Sequence, residues 1–228
     1  TELDEFLKQC IKTWKFCNPS WKILIINKNT INQYLDVANL RHNDSPARLT
    51  DYLRLEILSK YGGVWMDISC WVTESFEWIH QIQSKYNPQV IGFRVPNKNC
   101  DIMESWFIAC VKNSDFMMKW RNEFFRSNEF NSISSYVKSC AKTCINPSMQ
   151  TYLAIHIAYN QVYQFENKNK CFTLESTDGP FKLHNQTNWN NKQFVQSFIE
   201  MKNSNKFQCK YFIKFRGIER KGVSQFFI

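Results

Sequence analysis

Long apolar runs are the first thing that this sequence lacks. Its longest aliphatic run is ILII, at residues 23–26 of 228, whereas a membrane-spanning helix needs about 20 apolar residues. Glycine and proline are also scarce, at six each, which argues against a collagen-like, disordered or loop-rich chain. Hydrophobic residues nevertheless make up 43% of the sequence and aromatic residues 16%. We therefore predict a globular protein with a sizeable core.

A cysteine framework is missing as well. The nine cysteines are an odd number without regular spacing. Only Cys140 and Cys144 lie close together, and no Cys or His pair stands near them to complete a zinc site. The expected state is reduced, partly buried thiols in a cytoplasmic protein, with a few disulfides in a lumenal protein as the alternative. Any membrane contact is expected to be peripheral at most.

The basic residues form no dense cluster, although the net charge is +9. Lysines and arginines are scattered, and no strip of arginine and aromatic residues resembles a nucleic-acid-binding module. Two interpretations of the charge stay open. One is a solvated lysine surface, and the other is attraction to an anionic partner such as a sugar nucleotide or an acidic membrane. We expect no nucleic-acid partner.

Helix and strand patterns alternate along the chain. Apolar residues recur at helical spacing over residues 2–16, and ILII then suits a buried central strand. A second helix is predicted from Pro46, capped by Asp44 or Ser45, to the Gly62-Gly63 break, and a short strand, VWMDI, follows it. This order favours an α/β fold with a mostly parallel central sheet flanked by helices. Strands are also predicted at 90–95 and 210–215 and helices at 102–126 and 148–164, in an otherwise irregular tail after residue 170.

Charged residues stand on and just after the second helix. Asp51 and Arg54 lie one turn apart on a helix that is apolar on nearly every face, where charges are costly unless they are paired. Asp67 ends the following strand, and open α/β sheets bind ligands beyond the carboxyl ends of their strands. One interpretation is a structural ion pair between Asp51 and Arg54. The other is a ligand site at which an acid, a base and a second acid converge.

The stretch TDYLR…YGGVWMDIS, residues 50–69, resembles the core of glycosyltransferases with a DXD sugar-binding region, and every gap of that pattern is matched. The closest resemblance is to the capsular polysaccharide synthesis family, in which Thr or Ser typically replaces the final acid. Residues 6–36 are similar to the region that precedes this core. The resemblance implies one GT-A-like domain, residues 1–228, with 165–228 as a closing region. The strand that opens relatives is absent before Thr1, so we expect either a trimmed chain or a differently built nucleotide pocket.

The resemblance also implies roles for the residues of this core. The positions of Asp51 and Arg54 hold the hydroxyl groups of the donor sugar in relatives, and Trp65 stands where an aromatic ring lies near the donor. Asp67 matches the acid that reaches sugar or ribose and the metal shell. Ser69 stands where relatives with a full DXD bind the metal through a carboxylate, and a hydroxyl is a weaker ligand for a hard cation.

The candidate site also includes four residues that lie later in the chain. Gln150 stands where related retaining enzymes place an Asp, Asn or Gln facing the reactive carbon, with helix capping as the alternative. His184 lies in a stretch similar to the loop that closes over the donor, where a histidine often joins the metal shell. Lys214 and Arg216 belong to YFIKFRG, which resembles the family's terminal segment, although Ile213 stands where the family has His. They are candidate diphosphate contacts, and solvated tail cations are the alternative.

The function implied by the resemblance is that of a retaining, hexosyltransferase-like glycosyltransferase. The donor is a nucleoside-diphosphate sugar, expected to be a UDP-sugar, with Mn²⁺ or Mg²⁺ as cofactor. The acceptor is a glycan or a lipid-linked saccharide in surface polysaccharide synthesis. The competing hypothesis is a non-catalytic GT-A-like module that binds a sugar nucleotide or glycan without turnover. A basic nucleic-acid-binding protein is the third and weakest hypothesis.

Overall fold

Helices and strands alternate along the chain in the computed structural model, which describes residues 3–42, 45–94, 102–141, 144–166 and 168–227. The protein is mixed α/β, as predicted. The helices are α1 Glu5–Cys17, α2 Pro46–Tyr61, α3 Glu77–Tyr86, α4 Asp115–Phe125, α5 Ile133–Ser139, α6 Ala154–Tyr163, α7 Lys182–Gln186, α8 Asn191–Ser204 and α9 Gly217–Ser224, and the strands are β1 Gly63–Met66, β2 Cys70–Val72, β3 Val90–Arg94, β4 Met103–Cys110, β5 Cys171–Glu175 and β6 Phe212–Lys214.

The chain divides into two compact units. Unit 1 comprises Thr1–Ile23, Met66–Gln81 and Glu175–Ile228, and unit 2 comprises Leu24–Trp65 and Ile82–Leu174. The single domain expected over residues 1–228 stays a prediction.

Helix α1 confirms the first predicted helix. Asp4 caps it, because its carboxylate accepts a hydrogen bond of 2.8 Å from the Phe6 backbone N–H. The apolar face buries Phe6, Cys10 and Trp14, and the Trp14 indole donates to the Cys70 carbonyl at 2.6 Å. Within unit 1 this face packs into a core whose aromatic members include Trp71, Phe198 and Phe215.

The strand predicted at residues 23–26 is wrong. Residues 22–27 have no regular structure, and 55% of Leu24 is exposed. An apolar run becomes a strand only where another strand supplies hydrogen-bond partners, and this run lies where the chain passes from unit 1 into unit 2. The first strand of the predicted helix–strand alternation is therefore absent at residues 23–26, and the prediction of a parallel sheet is weaker without it.

Helix α2 begins and ends where the sequence predicted. The Ser45 hydroxyl accepts a hydrogen bond of 3.2 Å from the Arg48 N–H, and Pro46 occupies the first turn; the alternative cap, Asp44, lies outside the described residues. Gly62 ends the helix with φ +66°, and a Cβ there would approach the Lys112 backbone nitrogen to 2.7 Å. Only glycine fits this position without strain.

The sheets differ from the prediction. The larger one has the strand order β1-β4-β3-β5, and β3 and β4 pair antiparallel, with Val90 opposite Cys110 and Gly92 opposite Ile108. A smaller sheet pairs β2 with β6, also antiparallel. The four-stranded sheet is mostly antiparallel, so the parallel central sheet is not confirmed. Strands β1, β3 and β6 lie where strands were predicted, although the end of the third predicted strand, residue 95, lies outside the described residues.

The long helix predicted at residues 102–126 is wrong in its first half. Residues Met103–Cys110 form strand β4, and helix α4 begins only at Asp115, after a turn in which Asn113 has φ 61° and the Ser114 hydroxyl caps the helix. Nearly every residue of β4 is buried, so the strand shows no alternation of apolar and polar residues. A short apolar run of this kind cannot be told from a buried helix by periodicity.

The helix predicted at 148–164 is shorter, and the tail is more regular than expected. Helix α6 begins at Ala154, after a 3₁₀ turn at Pro147–Met149. The chain beyond residue 170 contains α7, α8 and α9 as well as β5 and β6. Among the described residues, none of the helices combines the length and the apolar composition that a membrane span requires.

The cysteines agree with the expected reduced thiols at seven positions, which are free: Cys10, Cys17, Cys70, Cys110, Cys140, Cys171 and Cys209. Burial raises the pKa of each of these thiols, to about 12 at Cys70. They are therefore protonated at neutral pH and weakly nucleophilic. Cys144 is the exception, because it is disulfide-bonded.

Candidate functional site

A buried ion cluster lies on one face of α2, in unit 2. Asp51 stands between two arginines: its carboxylate oxygens lie 3.5 Å from Arg48 Nη1 and 3.5 Å from Arg54 Nη2. The three side chains are 9%, 12% and 6% exposed for Arg48, Asp51 and Arg54. The structure thus brings together the acid and base that the sequence placed one turn apart, and it adds Arg48 to them.

Backbone carbonyls hold the two guanidinium groups of this cluster. Arg48 Nη2 donates to the Thr151 carbonyl at 2.5 Å. Arg54 donates through Nη1 to the Ser105 carbonyl and through Nε to the Thr50 carbonyl at 3.3 Å. Arg54 Cζ also lies 5.4 Å from the centre of the Trp65 ring, within cation–π range. The Arg54 side chain therefore connects α2, β4 and β1.

His156 is buried in the same unit, and sequence analysis gave it no role. It is 7% exposed, and its Nε2 lies 4.0 Å from Glu104 Oε2. Burial lowers the pKa of His156 to about 3, and the nearby positive charges of Arg54 and Arg48 contribute to this shift. The imidazole is consequently neutral at physiological pH.

Gln150 makes a local contact. It follows the 3₁₀ turn at Pro147–Met149, and its side-chain Nε2 donates to the Ile145 carbonyl at 2.9 Å. This contact ties the side chain to its own turn, but it is not the helix cap of the alternative, because the N-cap residue of α6 is Leu153. Its role at the reactive carbon stays a prediction.

A second charged cluster lies in unit 1 and joins Asp67, Ser69 and Lys214. Asp67 follows β1, and Lys214 is the last residue of β6. Lys214 Nζ lies 2.9 Å from Asp67 Oδ2 and 2.9 Å from Ser69 Oγ. The Lys214 side chain is 10% exposed and that of Asp67 is 29% exposed. The ammonium therefore holds both ends of the D-x-S stretch.

Strand pairing accounts for this meeting of residues 67–69 with residue 214. Strand β2 pairs antiparallel with β6, and Cys70 lies opposite Lys214. Next to this pair, the Phe215 N–H donates to the Ser69 carbonyl at 2.9 Å. The Ser69 hydroxyl donates its own hydrogen to the Phe215 carbonyl at 3.0 Å. Its oxygen is then an acceptor toward the lysine ammonium.

His184 is enclosed in unit 1 with no exposed surface. Neither ring nitrogen has a hydrogen-bond partner, and Nε2 lies 3.6 Å from Glu219 Oε1. Aromatic rings surround the imidazole: those of Phe181, Trp189 and Phe194 have centres 5.0, 5.0 and 4.3 Å away. Burial lowers the pKa of His184 despite the neighbouring Glu219.

Arg216 is the N-cap of α9 and is paired with Glu219, a residue that sequence analysis did not single out. The Arg216 N–H donates to Glu219 Oε2 at 2.8 Å, and its Nε donates to Oε1 at 2.7 Å. Burial alone would raise the pKa of Glu219, but the His184 ring and the Arg216 guanidinium lower it to about 2. The spacing of residues 216 and 219, which is that of a capping box, was the available signal.

The residues predicted to bind a metal do not fit that role in this arrangement. Asp67 and Ser69 both contact the ammonium of Lys214, and His184 is enclosed by aromatic rings. Within the described ranges no group of three His, Cys, Asp or Glu residues could hold a metal ion.

Comparison with known proteins gives one match. The family model described as "Capsular polysaccharide synthesis protein" matches residues 2–217. No curated protein and no solved structure matches significantly.

Proposed function

Because that match covers nearly the whole chain, the protein belongs to the capsular polysaccharide synthesis family, and we propose that it is a glycosyltransferase. Membership indicates a role in polysaccharide biosynthesis. The proposal is narrower: transfer of a sugar, with retention of anomeric configuration, from a nucleoside-diphosphate sugar to a glycan or a lipid-linked saccharide. We take UDP as the nucleotide and a GT-A-like arrangement as the fold. The resemblance of residues 50–69 to the DXD region supports the GT-A-like arrangement.

The observation that carries the proposal is the charged cluster at the end of β1. Asp67 directly follows this strand and is the acid of a D-x-S stretch. Its Oδ2 lies 2.9 Å from Lys214 Nζ. A glycosyl donor presents sugar and ribose hydroxyl groups, which carboxylates bind, and a diphosphate, which cations bind. Asp67 and Lys214 supply one group of each kind side by side.

By the family resemblance, we also propose that Asp51 and Arg54 hold the hydroxyl groups of the donor sugar. The pair stands 3.5 Å apart with little exposed surface. Fixed, desolvated groups can bind hydroxyls at a low entropic cost, because their rotamers are already set. Trp65, beneath the Arg54 guanidinium, is the aromatic group proposed to lie near the donor.

In the proposed reaction the bond between the anomeric carbon and the diphosphate oxygen breaks, and the electron pair leaves with the diphosphate. The acceptor hydroxyl oxygen bonds to the same face of the carbon, and its proton passes to the departing diphosphate. Cationic side chains stabilise the negative charge that develops on the leaving group. No general base from the protein is required.

A turnover screen tests the proposal. The purified chain is incubated with a panel of UDP-, GDP-, CDP- and TDP-sugars, with and without oligosaccharide and lipid-linked acceptors, and the released nucleoside diphosphate is measured by mass spectrometry. We expect release from at least one donor, and none from an Asp67→Ala protein prepared in the same way. Equal release by both proteins would indicate a contaminant. No release from any donor would contradict the proposal.

The second candidate is a GT-A-like module that binds a sugar nucleotide or glycan without turnover. The observation in its favour is that Ser69, which stands where a second carboxylate is expected, is bonded to the Phe215 carbonyl. A ligand that binds only the native state raises the melting temperature. Stabilisation by a nucleotide sugar, with no product released in the turnover screen, would favour this module.

A further inference from the structure

The two positions of the D-x-S stretch that the resemblance assigns to a metal are held by one lysine. Lys214 Nζ stands 2.9 Å from both Asp67 Oδ2 and Ser69 Oγ. We propose that the Lys214 ammonium is the built-in cation of this motif, that it contacts the donor diphosphate, and that sugar transfer needs no divalent metal ion. This inference rests on the proposed function and concerns how that function is carried out.

The fold fixes the position of this ammonium. Lys214 belongs to β6, opposite Cys70 of β2, and its backbone N–H donates to the Pro180 carbonyl at 3.1 Å. Its charge lowers the pKa values of the buried Cys10 and Cys70 thiols, although burial raises both overall. An ordered cation is suited to stabilise a leaving group, because no reorganisation is needed when charge develops.

The electrostatics of the cluster favour a lysine over a metal. Asp67 is already neutralised by the ammonium, and the Ser69 hydroxyl is neutral and oriented by the Phe215 carbonyl. A divalent ion bound by Asp67 and Ser69 would stand within a few ångströms of the ammonium, where like charges repel strongly. With one carboxylate and one hydroxyl, the pair would also bind a hard cation weakly.

In the transfer step, Lys214 acts without giving up a proton. The bond between the anomeric carbon and oxygen breaks, the diphosphate takes the electron pair, and the ammonium lies against the resulting negative charge. Asp67 and Ser69 are positioning residues in this step, because they set the direction of the Lys214 side chain.

Binding of inorganic pyrophosphate and UDP, measured by calorimetry in EDTA, tests the proposal directly. We expect wild-type protein to bind both, and Lys214→Met to bind them on the order of 100-fold more weakly. Methionine keeps an apolar stem and removes the charge. The matched control is Lys210→Met at an exposed position nearby, for which we expect unchanged affinity. Equal affinity of Lys214→Met and wild type, or binding by wild type only when Mn²⁺ is added, would overturn the proposal.

A second variant, Asp67→Asn, tests the lysine proposal even if Lys214→Met does not fold. In Asp67→Asn the ammonium loses its anionic neighbour, so pyrophosphate affinity in EDTA should be kept or increased. If a metal at Asp67 carried the diphosphate, the same variant would lose pyrophosphate binding in Mn²⁺, and that result would overturn the proposal.

The transfer assay separates this inference from the function on which it rests. Release of nucleoside diphosphate at equal rates in EDTA and in Mn²⁺ supports both the glycosyltransferase function and the lysine proposal. Release only in Mn²⁺ overturns the lysine proposal and leaves the glycosyltransferase. Lysine-dependent binding of UDP in EDTA without any release overturns the glycosyltransferase and leaves the lysine as the diphosphate contact.

Discussion

The two charged clusters of this protein use similar residues in different ways. In unit 2, Asp51 lies between two arginines whose guanidinium groups also donate to backbone carbonyls of other segments, those of Thr151 and Ser105. In unit 1, Lys214 meets a carboxylate and a hydroxyl, and the Asp67 side chain keeps 29% of its surface exposed. All three charged side chains of the first cluster are enclosed, whereas in the second a buried ammonium meets a partly exposed carboxylate.

This difference indicates how much each cluster contributes to stability. Removal of one partner from a buried ion pair leaves an uncompensated charge, which costs several kcal/mol. In the second cluster 29% of the Asp67 side chain is exposed, so water can take the place of a lost carboxylate beside the ammonium and the cost is smaller. We therefore expect substitutions in the Asp51 cluster to affect folding and donor binding together, and substitutions in the Lys214 cluster to affect mainly the ligand.

The largest expected effect is that of Asp51→Ala. It leaves Arg48 and Arg54 buried without their shared carboxylate, and it should lower the free energy of unfolding by about 3 kcal/mol. Asp67→Ala is the matched variant in unit 1, and its cost should stay within about 1 kcal/mol. Urea denaturation of the two proteins measures the difference. Equal losses of stability in the two variants would contradict the expected difference between the two clusters.

Arg54→Lys tests the geometry of the same cluster without changing its charge. Lysine cannot donate to the Ser105 and Thr50 carbonyls in the fork that arginine uses. We expect a loss of about 2 kcal/mol in stability and a loss of sugar transfer on the order of 100-fold. The control is Arg41→Lys at an exposed position. Wild-type transfer by a folded Arg54→Lys protein would remove Arg54 from the proposed donor site.

The neutral state of His156 in the folded protein should be detectable in the pH dependence of stability. The pKa of His156 is about 3 in the folded protein, below its usual value near 6.5, so the unfolded chain binds a proton first as pH falls. Stability is therefore intact above about pH 6.5 and decreases below it, by about 2 kcal/mol at pH 5. His184 in unit 1, whose pKa is also lowered, acts in the same direction. The lowered pKa values of Glu56 and Glu219 matter only at more acidic pH.

Thermal melts of wild type and His156→Gln from pH 7 to pH 5 check this expectation. The variant should lose less stability over that range than wild type. His80→Gln, at an exposed position, should behave as wild type does. An unchanged pH dependence in His156→Gln would show that the histidine does not titrate as its burial implies.

The smallest expected effect is that of Ser69→Ala. The variant loses the hydrogen bond to the Phe215 carbonyl and one acceptor for Lys214. We expect a cost of about 1 kcal/mol in stability, and a several-fold weaker affinity for pyrophosphate, because the lysine is less well oriented. Calorimetry and melting on one preparation give both numbers. A cost as large as that of Asp51→Ala would place Ser69 among the residues that hold the fold.

The parts of the fold that sequence predicted well are those with local signals. Helix α2 has a serine cap, a proline at its start and a glycine at its end, and each acts within a few residues of itself. The failures are the run at 23–26 and the helix expected at 102–126. Whether an apolar run becomes a strand depends on a partner strand elsewhere in the chain, and the composition of the run does not contain that information.

In the candidate site, too, local contacts could be predicted from the sequence and long-range contacts could not. The contact of Asp51 with Arg54 follows from their spacing of three residues on a helix. The contact of Asp67 with Lys214 joins residues 147 positions apart, and only the β2–β6 pairing creates it. Sequence analysis named both residues through a family resemblance, but it assigned one to a metal and the other to a diphosphate. It gave no indication that they meet.

A crystal structure of the wild-type protein with UDP, grown in the presence of Mn²⁺, would test the central claim most directly. The account predicts a diphosphate oxygen within hydrogen-bonding distance of Lys214 Nζ, with Asp67 and Ser69 still bonded to the same ammonium. A manganese ion bound to Asp67 and the phosphates, with the Lys214 side chain turned away, would contradict it.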